Sequence, residues 1–113
     1  MKIAVSLIVF NGGIFIDKYL SHYLNCNDID YVCVAEGATQ NMVDVLNLKS
    51  ASSTDNTIDI LNKHKENPKL KFTLASEPYK EKFEQQKASF NLLPEDVDYV
   101  LCADSDEFLP YED

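Results

Sequence analysis

The first apolar run of the sequence restricts the fold of this chain more than any other feature. Residues 3–10, I-A-V-S-L-I-V-F, are almost continuously apolar and rich in β-branched side chains. A strand with one face in water alternates apolar and polar residues, whereas a strand that is buried on both faces does not. The run therefore predicts an interior strand of a parallel sheet, with helices on both faces of that sheet.

Further strands and helices are predicted to alternate along the rest of the chain. The predicted strands are residues 30–35, 70–75 and 98–103. The predicted helices are residues 14–24, 58–65 and 80–93. Phe83, Phe90 and Leu93 lie along one face of the last helix, while residues 40–52 fit a short helix, a self-packed loop or an irregular strand. This order predicts a single α/β domain over residues 1–113, a three-layer sandwich with a mostly parallel sheet.

The last predicted strand ends in carboxylates. In the stretch Y-V-L-C-A-D-S-D-E-F, Asp104 and Asp106 are two residues apart, so an extended chain projects them to one side and Glu107 to the other. Glu36 follows the second strand, and parallel pairing would bring it to the same edge. Converging carboxylates suit magnesium or manganese, which keep open positions for substrate phosphates. An acidic turn after a buried strand is the structural alternative.

The charge of the chain excludes some classes of partner. The sequence has 10 basic and 19 acidic residues, a net charge of -9, and every basic residue is lysine. Nucleic-acid binding is not expected, because neutralising phosphates requires a basic surface. Anionic membrane surfaces are disfavoured for the same reason. An acidic protein can still bind a diphosphate if a metal ion supplies the positive charge.

The sequence predicts a cytoplasmic protein with no transmembrane segment. No apolar run reaches membrane-spanning length, and the N-terminal residues enter a strand without a signal-peptide pattern. Cys26, Cys33 and Cys102 are odd in number and widely spaced, which favours reduced core residues over disulfides or metal ligands.

Three segments together resemble a known family. The first strand leads into Phe10 and Asn11, S-T-D-N-T at residues 53–57 precedes a helix, and D-S-D-E-F-L occupies residues 104–109. They resemble the opening strand, the S-T-D-G-T segment and the D-A-D-E-F-L form of the metal-binding D-x-D motif of family 2-like GT-A glycosyltransferases. Order and spacing agree over the whole chain. The resemblance implies the N-terminal half of such an enzyme, which binds a nucleotide-diphosphate sugar.

The resemblance also implies roles for single residues. Asp106 would ligate a divalent metal, Mn²⁺ or Mg²⁺, and Asp104 would contact the ribose, or the metal through water. Glu36 stands at the family's acidic position after the second strand and would contact the base or ribose. Phe10 and Asn11 belong to the loop that contacts the nucleotide.

Two segments depart from the family pattern. The family often has two Asp residues and a Gly-Ser pair after the second strand, whereas here E-G-A-T at residues 36–39 is followed by an insertion before Ser53. Asp55 stands in the family's nucleotide-sugar-binding segment, where it is expected chiefly to shape the loop and cap the helix. The family's third helix often directs Asn or Arg at the donor phosphates, and Lys87 is predicted to take that role here.

The chain ends at Asp113, soon after the D-x-D motif. The family's acceptor pocket and catalytic base lie beyond this point, so the acceptor and the catalytic residues stay unknown. We therefore expect either a missing C-terminal half or self-association, since a sheet cut here leaves an exposed edge strand.

Other functions are compatible with the same sequence. The first alternative is a non-catalytic interaction module, a truncated α/β domain in which the acidic motif is structural. A nucleotidyltransferase would need a longer glycine-rich loop with basic residues after the first strand than the N-G-G at residues 11–13. A haloacid-dehalogenase phosphatase carries its D-x-D after the first strand, not near residue 104.

Overall fold

The computed structural model describes the backbone of residues 1–104 and the side chains of residues 1–102. Strands and helices alternate through this part of the chain, apart from two consecutive helices in its middle. The strands are β1 (Ile3–Val9), β2 (Tyr31–Glu36), β3 (Leu70–Leu74) and β4 (Tyr99–Asp104). The helices are α1 (Gly13–Leu24), α2 (Gln40–Leu46), α3 (Thr57–Lys63) and α4 (Lys82–Phe90).

The strands form one sheet in the order β3-β2-β1-β4. Every neighbouring pair within residues 1–104 is parallel. The predicted α/β class with a parallel sheet is therefore confirmed. The strand β1 lies between β2 and β4, which explains why its sequence is apolar almost throughout.

One face of the sheet is closed by α1 and α3 through apolar side chains. In parallel register Val5 pairs with Val32 and Leu7 with Val34, so these four side chains project to the same face. They form a buried cluster with helix residues that recur at spacings of three and four along α1. The helix residues of the cluster are Ile16, Tyr19, Leu20, Tyr23, Leu24, Ile60 and Leu61. This face holds the hydrophobic core.

The opposite face is covered by α4 through polar side chains. Gln85 and Ser89 are 3% and 0% exposed, whereas Phe83 and Phe90 are 64% and 41% exposed. The Ser89 hydroxyl donates to the backbone oxygen of Cys33 at 2.8 Å and lies 2.7 Å from the hydroxyl of Ser6. The hydrophobic pattern correctly placed Phe83 and Phe90 on one side of the helix. That side faces outward, because hydrogen bonds to the strand fix the opposite side against the sheet.

The unassigned segment after β2 begins with the short helix α2. The Thr39 side chain caps it by accepting from the backbone N–H of Met42 at 3.3 Å. Asn47 ends the helix in the left-handed conformation, at a φ of 52°, which asparagine tolerates better than most residues. No residue of α2 is buried. A helix that buries no stripe has no clear periodicity in its sequence.

Membrane crossing requires longer helices than those present in residues 1–104. The helix α1, with 12 residues, is shorter than the roughly 20 apolar residues needed to span a bilayer. No helix in this part of the chain is long and apolar enough to cross a membrane.

Candidate functional site

The carboxyl ends of three strands meet at one edge of the sheet. Val9 of β1 pairs with Glu36 of β2, and Ile8 pairs with Asp104 of β4. Parallel α/β sheets bind ligands outside the carboxyl ends of their strands. The predicted convergence of Glu36 and Asp104 at one edge is therefore present in the backbone register.

A cleft of about 550 Å³ opens at this edge. Its lining combines aromatic and apolar side chains with amide, hydroxyl and ammonium groups. The lining residues are Ile8, Val9, Phe10, Asn11, Gly12, Phe15, Gly37, Thr39, Met42, Lys82 and Gln85. Mostly apolar walls with a few polar groups are typical of small-molecule and cofactor sites. Of the predicted site residues, the structure places Phe10 and Asn11 in this lining.

Asn11 joins the loop after β1 to the loop before α3. Its backbone N–H donates to the Ser53 hydroxyl at 3.0 Å. Its side-chain oxygen accepts from the backbone N–H of Thr54 at 2.7 Å and from that of Asp55 at 3.3 Å. Asn11 has a φ of 50°, in the left-handed region that asparagine favours. These contacts fix the turn that forms one wall of the cleft.

Asp55 supports the same turn from the other side. Its carboxylate accepts from the backbone N–H of Gly13 at 2.9 Å and from that of Thr57, the first residue of α3, also at 2.9 Å. Partial burial raises the pKa of Asp55, but the hydrogen bonds from Thr57 and Gly13 outweigh it and bring the pKa below its ordinary value of 3.8. Asp55 thus shapes the loop and the start of the helix. A nucleotide contact by Asp55 stays a prediction.

Glu36 is completely buried and is not among the described residues that line the cleft. One carboxylate oxygen accepts from the backbone N–H of Ser53 at 2.7 Å, and the other from that of Ala75 at 3.3 Å. Burial, and then the negative charge of Glu36, raise the pKa of Tyr79 above 10.0. The predicted contact of Glu36 with the base or ribose is untested, and its observed partners are backbone groups of the protein.

Gly37 directly follows this carboxylate and borders the cleft. Its φ of 135° is strained for any residue with a side chain. A Cβ at this position would lie 2.4 Å from the Cβ of Ala75. A glycine is therefore required for the chain to turn away from β2 close to the end of β3.

The predicted phosphate contact, Lys87, does not reach this cleft. It lines a second groove of about 680 Å³ beside the end of β3, together with Tyr79 and Glu84. The lysine that lines the cleft is Lys82, the first residue of α4. Sequence reasoning missed Lys82, although a signal was present. A helix that follows a parallel strand starts at the carboxyl edge of the sheet, where ligands bind.

The proposed metal ligands fall at the limit of the described chain. The backbone of Asp104 lies beside Ile8, which lines the cleft, while the side chain of Asp104 and the whole of Asp106 lie outside the described residues. Within the described side chains, no three or more His, Cys, Asp or Glu residues come together as a metal site. Metal binding by the D-x-D motif therefore stays a prediction.

Comparison with solved structures gives this fold a precedent. The chain is similar to two crystal structures of S. aureus TarS 1–349, one of them in complex with UDP. The TM-scores are 0.69 and 0.68 at 19% identity, and each match covers 94% of this chain and 28% of that chain. At this identity the likeness shows the fold alone, a Rossmann-like α/β fold with a parallel sheet. The sequence matches no protein-family model and no curated protein.

Proposed function

We propose that this chain is the nucleotide-sugar-binding domain of a GT-A-type glycosyltransferase of the family 2 kind. The single observation that carries the proposal is the position of the cleft. It opens at the carboxyl edge of a parallel sheet, beside the strand that leads into the D-x-D motif. The chain is similar in fold to 28% of TarS, a glycosyltransferase whose structure was also determined with UDP, and this likeness supports the proposal.

The lining of the cleft suits the parts of a nucleotide diphosphate. The rings of Phe10 and Phe15 offer aromatic faces on which a base can stack. Lys82 brings a positive charge to the same cleft, where it can contact a phosphate. Lys82 is the one of the ten lysines that lines the cleft among the described residues.

The proposed cofactor is Mn²⁺ or Mg²⁺, held by Asp106 with Asp104. The residues fit such an ion, because carboxylate oxygens are the ligands that these hard cations prefer. The bound ion would stabilise the negative charge that develops on the departing diphosphate. The protein's part is to hold the donor, with Lys82 contacting a phosphate and the loop around Asn11 forming a wall of the site.

The reaction, glycosyl transfer, is proposed together with donor binding. The chain spans 28% of the TarS chain that it matches, and we propose that this domain supplies the donor for transfer to an acceptor. A cytoplasmic location is also proposed. It rests on the unpaired cysteines Cys26, Cys33 and Cys102, which a reducing compartment would keep as thiols.

Isothermal titration calorimetry of the full chain tests the proposal. We would titrate UDP, ADP, GDP and CDP in the presence of Mn²⁺, and repeat each titration with EDTA. We expect at least one of them to bind only with the metal, and Asp106→Asn to abolish that binding. Glu112→Gln, a carboxylate of the same terminal segment outside the motif, is the control and should keep the affinity of the parent chain.

The same titration compares the two lysines. Lys82→Ala should weaken nucleotide binding by about 10- to 150-fold, because a hydrogen bond to a charged phosphate contributes about 1.5–3 kcal/mol. Lys87→Ala should weaken it less. Absence of binding to all four nucleotides, or binding that survives Asp106→Asn, would contradict the proposed function and favour the non-catalytic interaction module.

A further inference from the structure

The buried carboxylate of Glu36 connects segments that are far apart in the sequence. It accepts from the backbone N–H of Ser53, 17 residues away, and from that of Ala75, 39 residues away. The backbone oxygen of Glu36 also accepts from the N–H of Ala75 at 3.1 Å and from the Tyr79 hydroxyl at 3.3 Å. The carboxylate therefore stabilises the loop at Ser53 and the loop at Ala75, neither of which is helix or strand at that residue.

The connection continues from Ser53 to the wall of the cleft. While the Ser53 N–H donates to Glu36, the Ser53 hydroxyl accepts from the backbone N–H of Asn11. The Asn11 side chain in turn accepts from Thr54 and Asp55. An unbroken series of hydrogen bonds therefore leads from the buried carboxylate to Asn11, which lines the cleft.

The series begins at a carboxylate whose two oxygens accept from two different loops. Both oxygens of an ionised carboxylate accept hydrogen bonds, whereas an amide presents one acceptor and an NH₂ group that only donates. In Glu36→Gln, the new NH₂ group would face either the backbone N–H of Ser53, which breaks the series, or that of Ala75, which would keep only its bond to the backbone oxygen of Glu36. Bonds from N–H groups to a charged carboxylate are also about twice as strong as neutral ones.

We propose that Glu36 is a positioning residue, which holds the nucleotide cleft in its binding geometry through Ser53 and Asn11 without touching the base or ribose. This inference rests on the proposed function, since it concerns how the same cleft is held. It departs from the direct nucleotide contact that the resemblance implies for Glu36. It also assigns a role to Ser53, which has no role in the resemblance.

Measurements of nucleotide affinity distinguish a positioning role of Glu36 from a direct contact between Glu36 and the nucleotide. With Mn²⁺ present, Glu36→Gln should weaken UDP, ADP, GDP and CDP binding by the same factor, about tenfold, because the whole wall of the cleft shifts. A residue that touches the base would change the preference among the four nucleotides. A change in base preference on Glu36→Gln would overturn the inference.

A double-mutant cycle tests the connection through Ser53. Ser53→Ala removes the acceptor for Asn11 but keeps the Ser53 N–H that donates to Glu36. If the two residues act in series, Glu36→Gln with Ser53→Ala should bind UDP no more weakly than Glu36→Gln alone. If the two losses multiply, Glu36 acts independently of Ser53 and the inference fails.

Asp30→Asn is the matched control for these affinities. Asp30 also accepts a backbone N–H on its carboxylate, that of Ile3 at 2.9 Å, but at the opposite edge of the sheet. This substitution should leave UDP affinity unchanged. A loss of UDP affinity equal to that of Glu36→Gln would show a general structural effect and would contradict a specific role for Glu36.

Amide NMR of the free protein tests the inference without any ligand. Glu36→Gln should shift the amide signals of Ser53 and Ala75 directly, and those of Asn11, Thr54 and Asp55 through the series. Ser53→Ala should shift the amide signal of Asn11. This variant replaces Glu36→Gln in the test if Glu36→Gln does not fold. If the parent chain binds no nucleotide, the proposed function fails, while unchanged signals of Asn11, Thr54 and Asp55 would overturn the series itself.

Discussion

The two faces of the sheet are covered by helices in different ways. The face under α1 and α3 is closed by apolar side chains such as Leu20 and Leu61, both fully buried. The face under α4 is closed by hydrogen bonds, because Gln85 donates to the backbone oxygens of Ala35 at 3.1 Å and Gly37 at 2.8 Å. Apolar packing tolerates small shifts of a helix, whereas hydrogen bonds to fixed carbonyls set its position.

Because of this difference, the stability of the fold and the position of the cleft residues depend mainly on different faces of the sheet. The apolar face supplies most of the free energy of folding, since burying a Leu or Ile side chain contributes about 1.5–3 kcal/mol. The polar face fixes where α4 begins, and Lys82 and Gln85 of α4 both line the cleft. We therefore expect substitutions on the first face to change stability most, and substitutions on the second to affect nucleotide binding as well.

The largest effect is expected on the apolar face. Leu20→Ala should lower the free energy of unfolding by about 2–5 kcal/mol, because it removes buried methyl groups and leaves a cavity. Urea denaturation followed by circular dichroism measures this loss. Leu46→Ala, on the exposed helix α2, is the control and should change stability by less than about 0.5 kcal/mol. Equal losses of stability in the two variants would contradict the claim that the apolar face supplies most of the free energy of folding.

A smaller loss of stability is expected on the polar face. Ser89→Ala should cost about 1–3 kcal/mol, because it leaves the buried hydroxyl of Ser6 and the oxygen of Cys33 without this partner. It should also weaken UDP binding, since α4 carries Lys82. Ser21→Ala, at an exposed position of α1, is the matched control. Lost stability with fully preserved UDP affinity would show that α4 does not place the cleft residues.

The smallest effect is expected from an ionic contact between α1 and α3. Asp17 lies 2.9 Å from the imidazole of His64, and hydrogen bonds from His64 and then Lys63 lower the pKa of Asp17, although slight burial acts against them. Its pKa is below 3.8 in the folded chain, so the ionised form stabilises the fold above that pH. The stabilisation is lost as the pH falls through the folded pKa. Asp17 is about half exposed, so we expect no more than about 0.5 kcal/mol.

Denaturation of Asp17→Asn as a function of pH measures this contribution. The difference in stability between the parent chain and the variant should be present at pH 6 and vanish at acidic pH. A difference that grows on acidification would reverse the sign and contradict the assignment. Asp44→Asn, on α2, serves as the control because the Asp44 carboxylate accepts from the side chain of Gln40, one turn earlier in the same helix, and so does not join two helices.

The sequence was most informative where a single physical effect dominates. The run at residues 3–10 predicted a buried parallel strand correctly, because burial on both faces leaves no polar alternation. The start of α3 was also predicted, since Asp55 accepts the first N–H of that helix. The three-layer α/β class followed from these elements and their order.

Prediction was weaker where tertiary contacts outweigh local pattern. The helix α2 has no fully buried residue, so no apolar stripe marked it in the sequence. The orientation of α4 depends on hydrogen bonds from Gln85 and Ser89 to carbonyl oxygens of β2, which no hydrophobic pattern records. For the same reason Lys82 lines the cleft and Lys87 does not, although the sequence favoured Lys87.

The most direct test of the account is an amide NMR titration of the full chain with UDP and Mg²⁺. Binding at the carboxyl edge predicts the largest shifts at Asn11, Gly12, Gly37 and Lys82, and no shifts at the opposite edge around Asp30. Magnesium should be required for those shifts, and Asp106→Asn should remove them. Shifts confined to the second groove around Lys87, or an unchanged spectrum at saturating UDP and Mg²⁺, would contradict the account.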